Sequence, residues 1–170
     1  MKSIIVLFFV IISCTTFAQN NATPTEKFSV EGRVKQKFTF SIADLDTFKI
    51  KALPDITITN HLGEKKHTIT GLKGILLKDV LSKIEFDAEN PKVLSEYYFE
   101  FVATDNYKIV FSWNEIYNTE TGNNIYIVME EDGKKIKDIP GRISIVTLTD
   151  FKTGRRHMSS IDKIIVQRVP

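Results

Sequence analysis

The chain has 170 residues, 42% of them apolar and 26% charged, and Lys plus Arg exceed Asp plus Glu by two. That near-neutral balance excludes a general electrostatic attraction to nucleic acid or to anionic membranes. The one cysteine, Cys14, excludes an internal disulfide, so the fold must be held by packing, for which twelve phenylalanines, five tyrosines and one tryptophan supply large apolar areas.

Met1 and Lys2 precede SIIVLFFVIIS, an apolar run shorter than the about 20 residues that cross a bilayer comfortably. Thr16-Phe17-Ala18 has the small-x-small form of an export cleavage site, so residues 1–18 are expected to be a signal peptide. Ile11-Ile12-Ser13-Cys14 also has the form of a lipid-attachment box, with Ile11 in the usual place of leucine. An uncleaved anchor is the third alternative. All three send the domain out of the cytoplasm, to a periplasmic or secreted location, and of the cleaved forms only one lipidated at Cys14 is held at a membrane.

Residues 19–27 (QNNATPTEK) are polar, contain Pro24 and lack periodicity, so they read as a flexible leader. Residues 28–170 are then one domain, long enough for one hydrophobic core. FSVEGRV opens it as a strand that ends at Gly32. KFTFSIADL follows, with Phe38 and Phe40 on one strand face and Ser41 placed to cap a short helical turn through Asp44. After Pro54, DITITNHLGEKKHTITG alternates in the manner of a β-hairpin whose loop lies between Asn60 and Lys66.

GILLKDVLSKIEF has the helical period, with Leu76, Val80 and Ile84 in one line, Leu77 and Leu81 in the next, and Lys78, Asp79 and Lys83 on the wet side. DAENPKV breaks it. YYFEFVATDNYKIVFSW reads as a second hairpin turning at Thr104-Asp105-Asn106, and Ser112 with Glu115 has capping-box spacing for a short helix in WNEI. Strands in NIYIVMEEDGKKI, with an Asp132-Gly133 turn, in PGRISIVTLTD and in IDKIIVQRV complete the chain. The expected class is α+β, rich in sheet, with few short helices and without the regular alternation of a doubly wound fold.

These segments, in this order, resemble the molybdopterin-binding domain of the sulfite-oxidase family in its small stand-alone bacterial form. FSVEGRV resembles the family's first strand with its V-x-G step, and FSIADL its F-T-L-x-D-L segment. KGILLKDVL is similar to G-V-x-L-x-D-L-L, which places Gly74, Leu77, Val80 and Leu81 on family positions. ATDNYKIVFSWNEI resembles D-G-Y-x-x-x-(F/L)-x-x-x-E-(L/I), which aligns Asp105, Tyr107, Phe111, Glu115 and Ile116, with Asn106 in place of the glycine. VMEEDGKKI, PGRISIV and DFKTGRRHMSSIDKIIV are similar to the remaining segments. The resemblance runs from Phe28 to Val166 and implies a mixed, sheet-rich α+β fold.

In catalytic members, the resemblance implies, a cysteine near the end of the strand corresponding to DITIT coordinates molybdenum, beside the dithiolene sulfurs of the pterin. A thiolate suits an oxygen-transferring metal because it is a soft, electron-rich donor. Here that stretch reads Thr59-Asn60-His61, and no cysteine follows Cys14. The family's arginine within G-P-L-R falls on Ser144, with Arg142 two residues away, and the lysine expected after Gly154-Arg155 falls on Met158.

The candidate site residues are therefore Asn60, His61, Asp105, Tyr107, Arg142, Arg155, Arg156 and His157, as cofactor- or ligand-binding groups; no metal ligand is assigned and catalytic residues are unknown. His61 could replace the missing sulfur with a ring nitrogen, but a histidine in a charged hairpin loop is the plainer reading. Arg155 and Arg156 could hold a phosphate in bidentate fashion, with Lys152 adding charge, or they could belong to a solvated turn. Asp105 and Tyr107 need only be a turn with a packed aromatic.

The sequence favours a non-catalytic or atypical binding module, holding either no cofactor or molybdopterin. A molybdenum-pterin oxidoreductase with a non-cysteine ligand, and a cofactor-free structural or interaction protein of the envelope, are the alternatives. Partners are a small anionic ligand or an envelope protein. Convergence of Asn60, Tyr107 and Arg155 on one deep pocket would favour a cofactor, and their dispersal the module.

Overall fold

The computed structural model describes residues 22–170; the expected signal peptide, Cys14 and the first residues of the expected leader lie outside them. From Thr23 onward that leader is attached to the domain. The Thr23 N–H donates to Thr104 Oγ1 (2.8 Å), the Thr104 hydroxyl donates back to the Thr23 carbonyl (2.9 Å), and Thr25 is buried in a bridge to Arg142. Residues 23–27, expected to be free, are thus fixed because their backbone groups find partners on the fold.

The chain then forms β1 (Lys27–Gly32), β2 (Phe38–Ser41), α1 (Ile42–Leu45), β3 (Ile50–Ala52), β4 (Ile56–Thr59), β5 (Lys65–Ile69), β6 (Lys73–Leu76) and α2 (Leu77–Leu81). After a 3-10 segment at Pro91–Glu96 come β7 (Tyr97–Ala103), β8 (Lys108–Ser112), α3 (Trp113–Tyr117), β9 (Ile125–Glu131), β10 (Lys134–Lys135), β11 (Ile145–Thr147) and β12 (Ile161–Arg168). Both expected capping boxes form. The Ser41 and Ser112 hydroxyls accept from the Asp44 and Glu115 N–H groups at 3.2 and 3.1 Å, and each carboxylate accepts from the serine N–H in return.

Five strands make the first sheet in the order β2-β1-β12-β7-β8, with β1 and β12 parallel and the other pairs antiparallel. The closing strand β12 therefore lies in the middle. The second sheet runs β10-β9-β6-β3, and β11 also pairs with β9. The β4-β5 hairpin stands apart as a two-stranded unit.

Alternation along β9 explains how these units stack. Ile125, Ile127 and Met129 pack into a core shared with Phe28, Phe99, Phe101, Phe111 and Val166 of the first sheet. Tyr126 and Val128, on the opposite face, join Ile56, Ile58 and Ile69 of the hairpin in a second core. The second sheet is the middle of three layers, and burial on both faces is why β9 reads as an unbroken apolar run. At about 1.5–3 kcal/mol for each large apolar side chain taken from water, the hairpin's three isoleucines suffice to hold it down.

The long helix expected from Gly74 onward is a strand followed by a helix of five residues. Ile75 and Leu77 enter the first core while Leu76 enters the second, which is the alternation of a strand. Gly74 lets β6 approach β9, since a Cβ there would come within 2.9 Å of the Ile127 carbonyl oxygen. The sequence showed no strand at Ile50–Ala52; β3 is a three-residue edge strand with Ile50 44% exposed, too short and too wet to leave a period. The α+β, sheet-rich class is otherwise as expected. Among the described residues no helix is long and apolar enough to cross a membrane.

Candidate functional site

The segment Thr153–His157 is laced onto the end of the hairpin. Thr153 Oγ1 donates to the Thr57 carbonyl (2.6 Å) and accepts from the Thr59 N–H (3.1 Å), and Lys152 Nζ reaches the His61 carbonyl (3.1 Å). From the other side, the Tyr107 hydroxyl donates to the Arg155 carbonyl (2.8 Å). Asn106, at φ 67°, makes the left-handed turn that the family's glycine would make, and Asp105 Oδ1 accepts from the Tyr107 N–H (2.9 Å).

Together these elements enclose a half-open cleft of about 360 Å³. Asn60, His61, Tyr107, Arg155 and His157 line it, with Lys66 and His67 of β5 and the apolar Ile58. Five of the eight residues singled out from the sequence thus meet in one place. Lys66 and His67 were missed as site residues, because an exposed E-K-K-H run reads as solvated hairpin; alternation sends adjacent strand residues to opposite faces, so only the folded hairpin shows that both line the cleft.

Three candidates are placed elsewhere. Asp105 is spent on its own turn. Arg142 pairs with Glu26 beside the N-terminal segment. Arg156 turns inward, where Nε and Nη2 bind the Asp150 carboxylate at 2.8 and 2.5 Å and Nη1 binds Glu115 at 2.8 Å, with the guanidinium 4.3 Å from the Phe111 ring centre. This bidentate pair with stacking is a structural use of arginine. Burial would raise the Glu115 carboxyl, but hydrogen bonds from the Ser112 backbone and from Arg156 hold it below the usual range.

Arg155 differs from its neighbour. Four of the five arginines are ion-paired, and among the described residues Arg155 is not, nor is Lys66. No carboxylate lines the cleft. His157 is half-buried; burial first, and the nearby His67 second, push its imidazole down to about 4. A larger depression of about 420 Å³ lies at the ends of β3, β6 and β9, but there Lys73 is bound to Glu130 at 3.0 Å and Asp46 adds a further carboxylate. Lys135 and Lys137 line it too, so its charge is mixed, with carboxylates that would repel an anion.

The stretch where the resemblance puts a metal-binding thiolate is Thr59-Asn60-His61, and its middle residue, Asn60, closes the hairpin loop. Its Oδ1 accepts from the Leu62 and Glu64 N–H groups (2.9 and 3.0 Å) and its Nδ2 donates to the Glu64 carboxylate (2.7 Å). The carboxamide oxygen and one of the two N–H groups are engaged in closing the hairpin loop, and among the described residues the cleft wall carries no sulfur donor. The residues present suit an oxyanion and do not fit a thiolate-held molybdenum centre.

The architecture is a sheet-rich α+β fold with few short helices. A solved structure sharing it is that of the sulfane dehydrogenase SoxCD from Paracoccus pantotrophus, 11% identical in sequence with a TM-score of 0.62. The likeness covers 84% of this chain and 39% of that one, so this chain corresponds to well under half of that enzyme's length, and it establishes the fold alone. No family model and no curated protein matches the sequence.

Proposed function

We propose that this domain is a ligand-binding module of the exported compartment, which uses the sulfite-oxidase-like fold to hold a small oxyanion, or the phosphate or sulfate group of a larger ligand, in the cleft between the hairpin and the Arg155 segment. The observation that carries this reading is the unpaired Arg155 guanidinium on a cleft with no carboxylate in its wall. A guanidinium offers a planar fork of donors to two oxygens of one anion, Lys66 adds a point charge, and the imidazoles of His61 and His157 add further nitrogen groups. Tyr107 serves as a positioning residue by holding the Arg155 carbonyl.

Oxygen-transfer chemistry at molybdenum is disfavoured for this chain because the Thr59-Asn60-His61 stretch and the rest of the described cleft wall offer no thiolate, leaving only an imidazole such as that of His61 as a donor. The test is titration of the full chain with sulfate and with inorganic phosphate, followed by calorimetry or by the NMR signals of the arginine side chains. Saturable binding is expected, and Arg155→Ala is expected to weaken it by about tenfold to a hundredfold, the worth of a charge-assisted hydrogen-bond pair. Unchanged affinity in that variant would remove the cleft from the account. Stoichiometric molybdenum and pterin in protein made by a cofactor-competent host would overturn the non-catalytic reading.

A further inference from the structure

We propose that the cleft loads its oxyanion together with a proton carried by His157, so that the site fills as the surroundings become acidic. This rests on the anion-site reading and adds a regulator to it. The His157 N–H bonds the Thr153 carbonyl at 3.1 Å, which fixes the backbone, while its ring has no hydrogen-bond partner among the described residues and lies on the cleft wall. A half-buried imidazole without a partner is poised to bind whatever enters.

Burial first, and the neighbouring His67 second, explain why a proton does not settle there first. Toward His157 face Lys66 and His67 from β5, His61 from the hairpin loop and Arg155 from its own segment. From the β7-β8 turn comes Tyr107, while Asp105 is turned back onto the Tyr107 N–H. Asp150 and Glu115 are occupied by Arg156. Glu131 and Asp132, at and just past the end of β9, interact with His67 but do not line the cleft. An imidazolium at His157 would thus share the cleft with Lys66 and Arg155 and with no carboxylate among the described lining residues. Burial and the neighbouring His67 keep it neutral to about pH 4 in the empty cleft.

A bound dianion reverses that balance by supplying the missing negative charge at close range. By reciprocity, the factor by which the anion raises the proton affinity of His157 equals the factor by which the proton raises affinity for the anion. Protonation is therefore taken up on binding. An imidazole in water has completed its protonation by about pH 5.5. His157 would still be gaining its proton below that, so the rise in affinity continues where ordinary histidines have stopped contributing.

Sulfate is the appropriate probe, since it stays doubly charged throughout the range. Its Kd on the full chain is expected to tighten from about pH 8 to about pH 5, with a limiting slope of about tenfold per pH unit for one proton taken up. The fall should persist between about pH 6 and about pH 5, and saturating sulfate should move the NMR titration of the His157 ring to higher pH. In His157→Gln the affinity should climb less between about pH 6 and about pH 5 than in the wild type; if that variant does not fold, the wild-type ring titration decides. An identical Kd at the two lower pH values, with a ring titration that sulfate leaves unmoved, would overturn the proton-loading site while leaving the anion site standing. Failure of sulfate to bind at any pH would overturn the anion reading, and this inference with it.

Discussion

A Cβ built on Gly154 would lie 1.9 Å from the Thr59 carbonyl oxygen, a backbone atom that cannot swing aside. The site therefore depends on a residue that touches no ligand. Gly154→Ala is expected to push the Thr153–His157 segment off the hairpin, costing about 1–3 kcal/mol of stability in the manner of an overpacked contact. It should also weaken sulfate binding several-fold, because Arg155 is carried on the displaced segment. Thermal melts and sulfate titration check both parts; a variant with wild-type stability and affinity would show that the segment is not held as described. The neighbouring arginines show what sequence alone leaves open at this scale. Arg155 and Arg156 carry the same charge and sit side by side, and both suggested anion binding. Only the fold shows that one side chain finds Asp150, Glu115 and the Phe111 ring while the other faces the cleft.

Among the elements, the β4-β5 hairpin connects packing to site geometry, since its apolar face is clamped into the second core and its open end forms a cleft wall. One hydroxyl, that of Thr153, bridges the Thr57 carbonyl and the Thr59 N–H. Thr153→Val keeps the shape and removes both bonds, at an expected cost of about 1–3 kcal/mol. Hydrogen exchange is the more telling readout: amides at the hairpin's open end should exchange faster while those of β7 and β12 keep their protection. Uniform loss of protection would mean that the hairpin is not an independent unit. Hairpins and capping boxes were legible beforehand because their signals are local: alternation, the Asp105-Asn106 and Asp132-Gly133 turns, a serine three residues before a carboxylate. The KGILL segment misled because a fully buried strand and a buried helical start both read as continuous leucine and isoleucine, and pairing with β9 decides between them. β3 was invisible, having neither length nor a buried face.

At the scale of the whole molecule, the order of the sheets follows from a few doubly buried strands, and the same burial sets the response to acid. His157 has its folded-state value lowered from 6.5 to about 4, chiefly by burial. Between those two values the unfolded chain holds a proton that the folded chain does not, so stability present at neutral pH is lost progressively as the pH falls through that window. Glu115, held below the usual carboxylate range by the Ser112 backbone and Arg156 despite its desolvation, acts in the same direction at lower pH. Glu131 acts oppositely. Burial first and Asp132 second raise its carboxyl, so protonating it on acidification relieves a cost, and one of its oxygens is buried without a partner. The expected outcome is a Tm that declines from about pH 7 to about pH 4, and declines less in His157→Gln, which has no imidazole to charge. Sulfate should offset the decline, and by more at about pH 5 than at about pH 8, because a ligand that binds only the folded state stabilises it in proportion to its affinity. A His157→Gln variant that loses stability as steeply as the wild type would show that the ring is not shielded in the folded chain, and would remove the electrostatic basis for coupling a proton to the anion.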